Sequence, residues 1–498
     1  MGTQSVIQGN LGERRYDLDW VRIGAFMLLI FYHVGMYYVT WDWHVKSPHA
    51  SPTLEPLMML TQPWRLSLLF LVSGVATAYL LERPGQRGFL GQRSVRLLVP
   101  LIFGMAVIVP PQSYLEVVEK ISYAGSYTDF LKLYLTGYSG FCRGSDCLRV
   151  PTWNHLWFVA YLWVYTVVLY AVIRVVPTSV KWLRKVADSK LGGLGVVLWP
   201  IALLALARVT LFAIYPPSHA LVGDWYNHVI YGTTFLLGFA LAGTRAPWVA
   251  IERARWIALG LAVLGWAFLS AYYGFYNDST VDPPQLLRLF QRFVYGAEQW
   301  LAIVAVLGFA RRHLAHDNAA RRYLTASIFP VYILHQSVIV VVAHALKPAH
   351  LDPTVEGGLL VMVTASACFL GYEVIRRVKL LRPLFGLAIG GNAKGHTDAA
   401  PLAASTAASA KAGAAPPAAS ATARGATSAV ALSLVAALTA TAAPLVDTDV
   451  ATTSIARAST SSGARNRPAA TGRQASSRSS KTTAWASRVI RPVPCDVQ

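Results

Sequence analysis

Long apolar segments separated by short polar ones extend over most of the chain. A bilayer core of roughly 30 Å requires about 20 apolar residues of helix, and about ten segments reach or approach that length. They cover residues 21–39, 57–81, 95–114, 156–175, 193–214, 226–243, 256–275, 289–310, 324–346 and 357–376. This pattern predicts an all-α membrane protein with about ten transmembrane helices.

Positive charge alternates between the connecting segments. Arg/Lys-rich stretches such as "KWLRKVADSK" and "RRHLAHDNAARR" follow the even-numbered apolar segments, whereas stretches such as "YNDSTVDPP" follow the odd-numbered ones. Because cytoplasmic loops carry an excess of Lys and Arg, we expect both termini in the cytoplasm. No small-residue cleavage site follows the first apolar segment, so it is interpreted as a retained span.

The composition agrees with a multi-pass membrane protein. The 498 residues are 54% hydrophobic and 14% charged, whereas soluble domains are about a quarter charged. The formal net charge of +20 might be read as a sign of nucleic-acid binding. The basic residues, however, cluster between apolar segments, where they set topology, so we expect the lipid bilayer and no nucleic acid as a partner.

The chain divides into three parts by composition. Residues 1–20 are predicted to be a cytoplasmic N-terminal segment, and residues 21–388 the membrane domain. Residues 389–498 are rich in Ala, Ser and Thr, with too few large apolar residues to form a core, so we predict a disordered tail. In the longest outer loop, Cys142 and Cys147 are close enough for a local disulfide if that loop faces an oxidising compartment. Two unrelated thiols are an equally good interpretation.

An arginine and a histidine stand at the two ends of "RIGAFMLLIFYH" in the first predicted span. An ionisable side chain inside a span costs several kcal/mol unless it is paired or hydrated, which makes His33 a functional candidate. Arg22 precedes it by about three helical turns, so the two side chains project from nearly the same face. A packing role for His33 and a topology-anchoring role for Arg22 are the alternative.

Other ionisable residues lie in further predicted spans, and together they indicate a polar cavity inside the bundle. Glu298 is equally well explained as one half of a structural ion pair with Arg208 or Arg292. The residues are Arg65, Arg208, Glu298, His335 and Glu373.

Two shorter motifs lie at the ends of predicted spans. In "RSVRLLVP", Arg93 and Arg96 share one helical face, and two guanidinium groups there suit a phosphate-bearing head group. In "WNHLWFVAYLW", His155 and Trp157 are candidates for holding a sugar. The alternatives are a positive-inside anchor for the arginines and an interfacial aromatic belt for the second motif.

The sequence contains no Walker motif, no Gly-x-Ser-x-Gly, no Cys-x-x-Cys and no cluster with metal-ligand spacing. ATP hydrolysis, redox chemistry and metal chemistry therefore have no support, and no metal site is predicted. A histidine, several arginines and a polar core suit the transfer of a group from an anionic donor.

The arginine and histidine of "RIGAFMLLIFYH" and the Arg-x-x-Arg of "RSVR" resemble the two motifs of the membrane-bound acyltransferase 3 family. The blocks "QPWRLSLLFLVSGVA", "HLWFVAYLWVY", "FPVYILHQSVIV" and "RRVKLLRPLFG" are similar to one branch of it, the glucan-biosynthesis C-type proteins. The resemblance extends over residues 14–388 in collinear order and leaves out the tail.

This resemblance implies a ten-helix O-acyltransferase of the bacterial inner membrane that transfers groups other than aminoacyl groups. The donor would be a cytoplasmic acyl-CoA, succinyl-CoA before acetyl-CoA, acting as a co-substrate with no bound cofactor. The acceptor would be a periplasmic glucan. His33 would be the catalytic residue with Arg22 as its partner, and Arg93 and Arg96 would bind the donor phosphates.

The remaining site candidates come from the residues themselves, and His335 also lies in one of the matching blocks. Arg65, Arg208, Glu298, His335, His155 and Trp157 are candidates for the cavity or the acceptor site. The alternatives are an O-acetyltransferase of another envelope polysaccharide, a proton-coupled transporter and a non-catalytic scaffold. The sequence leaves open the acyl group, a covalent acyl-enzyme and the oligomeric state.

Overall fold

The apolar segments fold into helices, because a helix pairs its own backbone groups and exposes none of them to lipid. The computed structural model describes residues 15–82, 88–144, 146–277 and 281–389. Its helices are α1 (Tyr16–Tyr38), α2 (Glu55–Met59), α3 (Arg65–Leu81), α4 (Phe89–Phe103), α5 (Pro110–Ile121), α6 (Tyr127–Leu135), α7 (Trp157–Val175), α8 (Ser179–Lys190), α9 (Gly195–Leu211), α10 (Trp225–Leu241), α11 (Ala246–Tyr276), α12 (Gln285–His313), α13 (Ala319–Leu346), α14 (Pro353–Arg377) and α15 (Leu381–Leu384). Strands β1 (Cys142–Arg143) and β2 (Asp146–Cys147) form an antiparallel hairpin in which Cys142 faces Cys147.

The prediction of an all-α membrane protein is confirmed. Among the described residues, 7 helices are long and apolar enough to cross a membrane, or 8 if the α8–α9 pair, bent by 111°, is one broken span. Three of the predicted segments become helices of 17 residues, namely α3, α9 and α10. A straight span needs about 20 residues, so the count of ten spans and the cytoplasmic location of both termini stay predictions.

The segment predicted as a single span over residues 95–114 is interrupted. Helix α4 begins earlier, at Phe89, and continues into a π-helix over Gly104–Ile108 before α5 begins at Pro110. Proline lacks a backbone N–H and is tolerated best in the first turn of a helix, which explains the start of α5 at this position. The predicted segment is therefore divided between α4 with its π-helix and the separate helix α5.

Small residues let α3 and α10 pack closely. A Cβ atom at Gly74 would lie 2.0 Å from the carbonyl oxygen of Phe235, and one at Gly238 would lie 1.9 Å from that of Leu71. Neither position tolerates a side chain without moving a helix, so the two backbones are in direct contact. Helix α1 packs against α13, which brings the first and ninth predicted segments together. Helix α4 packs against α7.

Cys142 and Cys147 form a disulfide across the small hairpin, which decides between the two interpretations of these cysteines. Among the described residues, Cys368 is a free and buried thiol. The tail predicted from residue 389 lies outside the described residues from residue 390 onward, as does the N-terminal segment up to residue 14.

Candidate active site

A cavity lies where α1, α3, α7 and α13 meet. Its volume is about 30 Å³, which is enough for about two or three waters. Its polar lining comes from His33, Arg65 and His155, and aromatic rings form much of its wall, among them Tyr32, Trp43, Trp157, Phe158 and Tyr332. Four residues predicted from the sequence, His33, Arg65, His155 and Trp157, are thus brought together here.

A chain of hydrogen bonds determines which nitrogen of His33 is free to act as a base. Nδ1 of His335 lies 2.6 Å from the carbonyl oxygen of Tyr332, and because a carbonyl only accepts, this nitrogen carries the proton. Nε2 of a neutral His335 then accepts from Nδ1 of His33, 2.9 Å away. With both rings neutral, Nε2 of His33 is left unprotonated and can accept a proton from a substrate.

His155 contributes a second nitrogen to this cluster. Its Nε2 donates to the carbonyl oxygen of Ile333 at 3.1 Å. Its Nδ1 is buried and has no hydrogen-bond partner among the described residues. The ring meets His335 edge to face at 5.2 Å between centroids, while Trp43 stacks on His33 at 6.4 Å. The three histidines are therefore held by one turn of α13 and its neighbours.

Arg65, the first residue of α3, places a buried cation in the same cavity. Its side chain is only 2% exposed, and its guanidinium carbon lies 3.3 Å from the centroid of the Tyr32 ring. In the described part of the chain, its Nε and Nη1 have no hydrogen-bond partner. The cavity therefore combines an imidazole base with a positive charge.

Arg22 belongs to a different group of residues. It lies about 16 Å from His33 along α1, and its charge acts on Arg93 together with that of Arg96. Nη2 of Arg22 also lies 3.9 Å from Oδ1 of Asp19. The charges of Arg22 and Arg96 thus both act on Arg93, at the end of α1 opposite His33.

Arg208 and Glu298 lie outside the set of residues that line this cavity. The Arg208 guanidinium donates to the hydroxyl of Tyr226 at 2.8 Å and packs on the rings of Phe212 and Tyr295. Glu298 is buried in α12, and its Oε2 has no partner in the described ranges. In the part of the chain that the structure describes, Glu298 forms no ion pair with Arg208 or with Arg292.

Asp224 and His219 were not singled out from the sequence, although both lie next to the cavity wall. Asp224 is fully buried, and it accepts from the Tyr161 hydroxyl at 2.7 Å and from the backbone N–H of His219 at 2.9 Å. The His219 ring packs on Trp157 with centroids 4.3 Å apart. Burial lowers the pKa of His219 to about 4, Asp224 opposes this shift, and Arg65 adds to it. Asp224 is the N-cap residue of α10, and no local sequence motif connects it with the cavity.

A second buried acid–base pair lies behind the histidines. Nδ1 of His44 lies 2.6 Å from Oε2 of Glu116. Nε2 of His44 accepts a hydrogen bond from the side-chain amide of Gln336, the residue after His335. Burial alone would raise the pKa of Glu116, but His44 and Lys120 outweigh it and lower the value to about 2. The pair is far apart in sequence, so no local motif marks it.

The comparison with known families decides the class. A family model described as "Acyltransferase domain" matches residues 15–373, which include α1 and most of α14. The chain belongs to this acyltransferase 3 family. The acyltransferase is also similar to proteins named "Glucans biosynthesis protein C" from Escherichia coli strain K12, strain O81 (ED1a) and strain O139:H28. Each is 24% identical over 389 residues, which cover 75% of this chain and 94% of the relative. No solved structure matches the acyltransferase.

The matched range contains every residue of the cavity and of the arginine group. The chain is thus a membrane acyltransferase, and the geometry described above is that of its family domain.

Proposed function

We propose that this acyltransferase moves a succinyl group from an acyl-CoA on the cytoplasmic side of the inner membrane to a hydroxyl of a periplasmic glucan, with His33 as the general base. The observation that carries the proposal is the unprotonated Nε2 of His33 in a cavity that Arg65 also lines. The choice of a glucan rests on the names of the relatives, which are glucan-biosynthesis proteins.

The reaction follows from ordinary acyl-transfer chemistry. The hydroxyl oxygen attacks the thioester carbonyl carbon, and Nε2 of His33 takes the hydroxyl proton. The C–S bond then breaks, an ester forms, and the CoA sulfur takes the proton from the imidazolium. His335 is a positioning residue. Its Nε2 accepts the hydrogen bond from Nδ1 of His33, and this keeps Nε2 of His33 unprotonated.

The two ends of α1 suit the two sides of the membrane. Disulfides persist in oxidising compartments, and the hairpin that contains Cys142 and Cys147 packs on α5. Helix α5 in turn contacts the segment after α1 through Glu116 and His44. This supports a periplasmic location for the His33 end of α1 and a cytoplasmic one for the Arg22 end.

The arginine group suits the phosphates of the donor. Guanidinium groups bind phosphate oxygens in bidentate fashion, and Arg22 adds a third cation to Arg93 and Arg96. Bound there, CoA would extend its pantetheine arm along α1 towards His33. In this arrangement Arg22 binds the donor and does not contact the reacting carbon.

The acceptor would approach from the side of Trp157. Aromatic rings stack on sugar faces, and the buried Asp224 and His219 lie directly behind this ring. The Nδ1 of His155, which has no partner in the described structure, is available to a sugar hydroxyl. These groups support a polar acceptor with several hydroxyls.

Mass spectrometry of periplasmic glucans tests the proposal. A strain without its own glucan acyltransferase is complemented with the wild type, with His33→Gln or with His350→Ala, which alters an exposed histidine. We expect succinyl mass additions with the wild type and with His350→Ala, and a loss of about 10²- to 10⁴-fold with His33→Gln at equal expression. Persistent succinylation by His33→Gln would exclude His33 as the base, and unmodified glucans with every protein would exclude the glucan acceptor.

A further inference from the structure

The guanidinium of Arg65 differs from those of the other deeply buried arginines. Arg321 is 1% exposed and pairs with both Asp19 and Asp317. Arg208 donates to a tyrosine hydroxyl and has three aromatic rings around it, and in the described ranges only its Nε is without a partner. In the described ranges Arg65 has the Tyr32 ring on one side, no carboxylate within ion-pair distance, and two nitrogens without a partner.

A buried cation without an anion is costly. Taking a guanidinium out of water costs more free energy than contact with one aromatic ring restores. The buried guanidinium lies in the lining of the cavity, which His33 also lines. A group that arrives with the substrate and carries a negative charge would complete the pairing.

The charge of Arg65 also reaches the reaction centre. It acts on the ring of His33 and on that of His219, which lie on α1 and in the loop before α10. Arg65 thus lines the same cavity as the base and Trp157, so it lies within reach of an acyl group placed there for transfer. Among acyl groups, one derived from a dicarboxylic acid ends in a carboxylate that an Arg fork binds in bidentate fashion.

We infer that Arg65 binds the free carboxylate of a dicarboxylic acyl group and thereby sets the preference of the enzyme for succinyl over uncharged acyl groups. The inference rests on the proposed function, since it assigns the acyl group of the same cavity. Arg65 contacts the substrate but takes no part in the proton transfer.

Donor selectivity of the full-length protein in lipid vesicles tests this assignment. Transfer to periplasmic glucan is measured with succinyl-CoA, with acetyl-CoA and with butyryl-CoA, which has a four-carbon chain without the carboxylate. We expect the wild type to favour succinyl-CoA, and Arg65→Met to lower its kcat/KM with succinyl-CoA by about 100-fold while transfer from butyryl-CoA is kept. Arg288→Met, at an exposed arginine, is the matched control and should leave the donor ratio unchanged.

A second variant protects the test against a folding failure. Arg65→Lys keeps the charge without the fork, so we expect the succinyl preference to fall by about tenfold and not to vanish. Equal use of succinyl-CoA and butyryl-CoA by the wild type would overturn the inference without any variant. An equal loss with all three donors in Arg65→Met and Arg65→Lys would also overturn it and would assign Arg65 to the thioester oxyanion. No transfer by the wild type from any donor would instead overturn the proposed function.

Discussion

The cavity at His33 and the packed region around Arg208 and Glu298 both contain charged or titratable groups buried deep in the bundle, but they are built differently. In the cavity, His335 contacts both His33 and His155, which leaves Nε2 of His33 unprotonated and Nδ1 of His155 without a partner in the described structure. Around Arg208 the space is filled by the rings of Phe212, Tyr226 and Tyr295.

Close packing explains the second region. A Cβ atom at Gly296 would lie 2.7 Å from the Cα of Ala205, and one at Gly265 would lie 3.1 Å from the Cβ of Glu298. Helices α9, α11 and α12 are therefore in tight contact there. A buried charge by itself therefore does not mark an active site. A free base, a cation and room for a substrate must occur together.

The largest effect that separates the two regions is expected at His335. His335→Ala removes the acceptor that fixes the tautomer of His33, and we expect kcat to fall by about 100-fold. His335→Gln offers a side-chain oxygen to Nδ1 of His33 and should restore at least part of this loss. Glucan acylation by both variants, with expression matched on blots, checks the expectation. A rescue that fails although the protein is folded would contradict the positioning role.

Arg208→Ala should act on stability and not on the reaction. Removing the guanidinium takes away its packing against three rings and leaves a void, which costs about 2–4 kcal/mol. Thermal unfolding in detergent measures this cost. The rate per folded molecule and the ratio of donors used should match the wild type, and a change in that ratio would bring Arg208 into the site.

The smallest effect is expected for Glu298→Gln. The substitution removes a titratable carboxyl that has an oxygen without a partner in the described structure, so the stability should stay equal or rise slightly. Glucan acylation should stay within about twofold of the wild type, since every group that carries out the reaction lies elsewhere. A loss beyond tenfold would assign Glu298 to proton movement, as the transporter alternative requires.

Several residues of the site could be predicted individually because their position inside a span was itself the signal. His33, Arg65 and His335 interrupt apolar segments, and a histidine or an arginine in such a segment is costly without a purpose. The same rule also selected Arg208 and Glu298, which lie outside the cavity lining. The pairing of Arg22 with His33, suggested by their spacing along α1, stays a prediction, and the structure adds an electrostatic interaction of Arg22 with Arg93.

The all-α membrane class and the positions of most of the helices could be predicted from the chain alone, because apolar length and charge alternation are local properties of a segment. The tertiary structure decided which of the buried charges share a cavity. His33 and His335 are 302 residues apart in the chain and bond directly, and Asp224 lies behind Trp157 only because its loop folds under α7. Such contacts depend on which helices are neighbours, and no single segment contains that information.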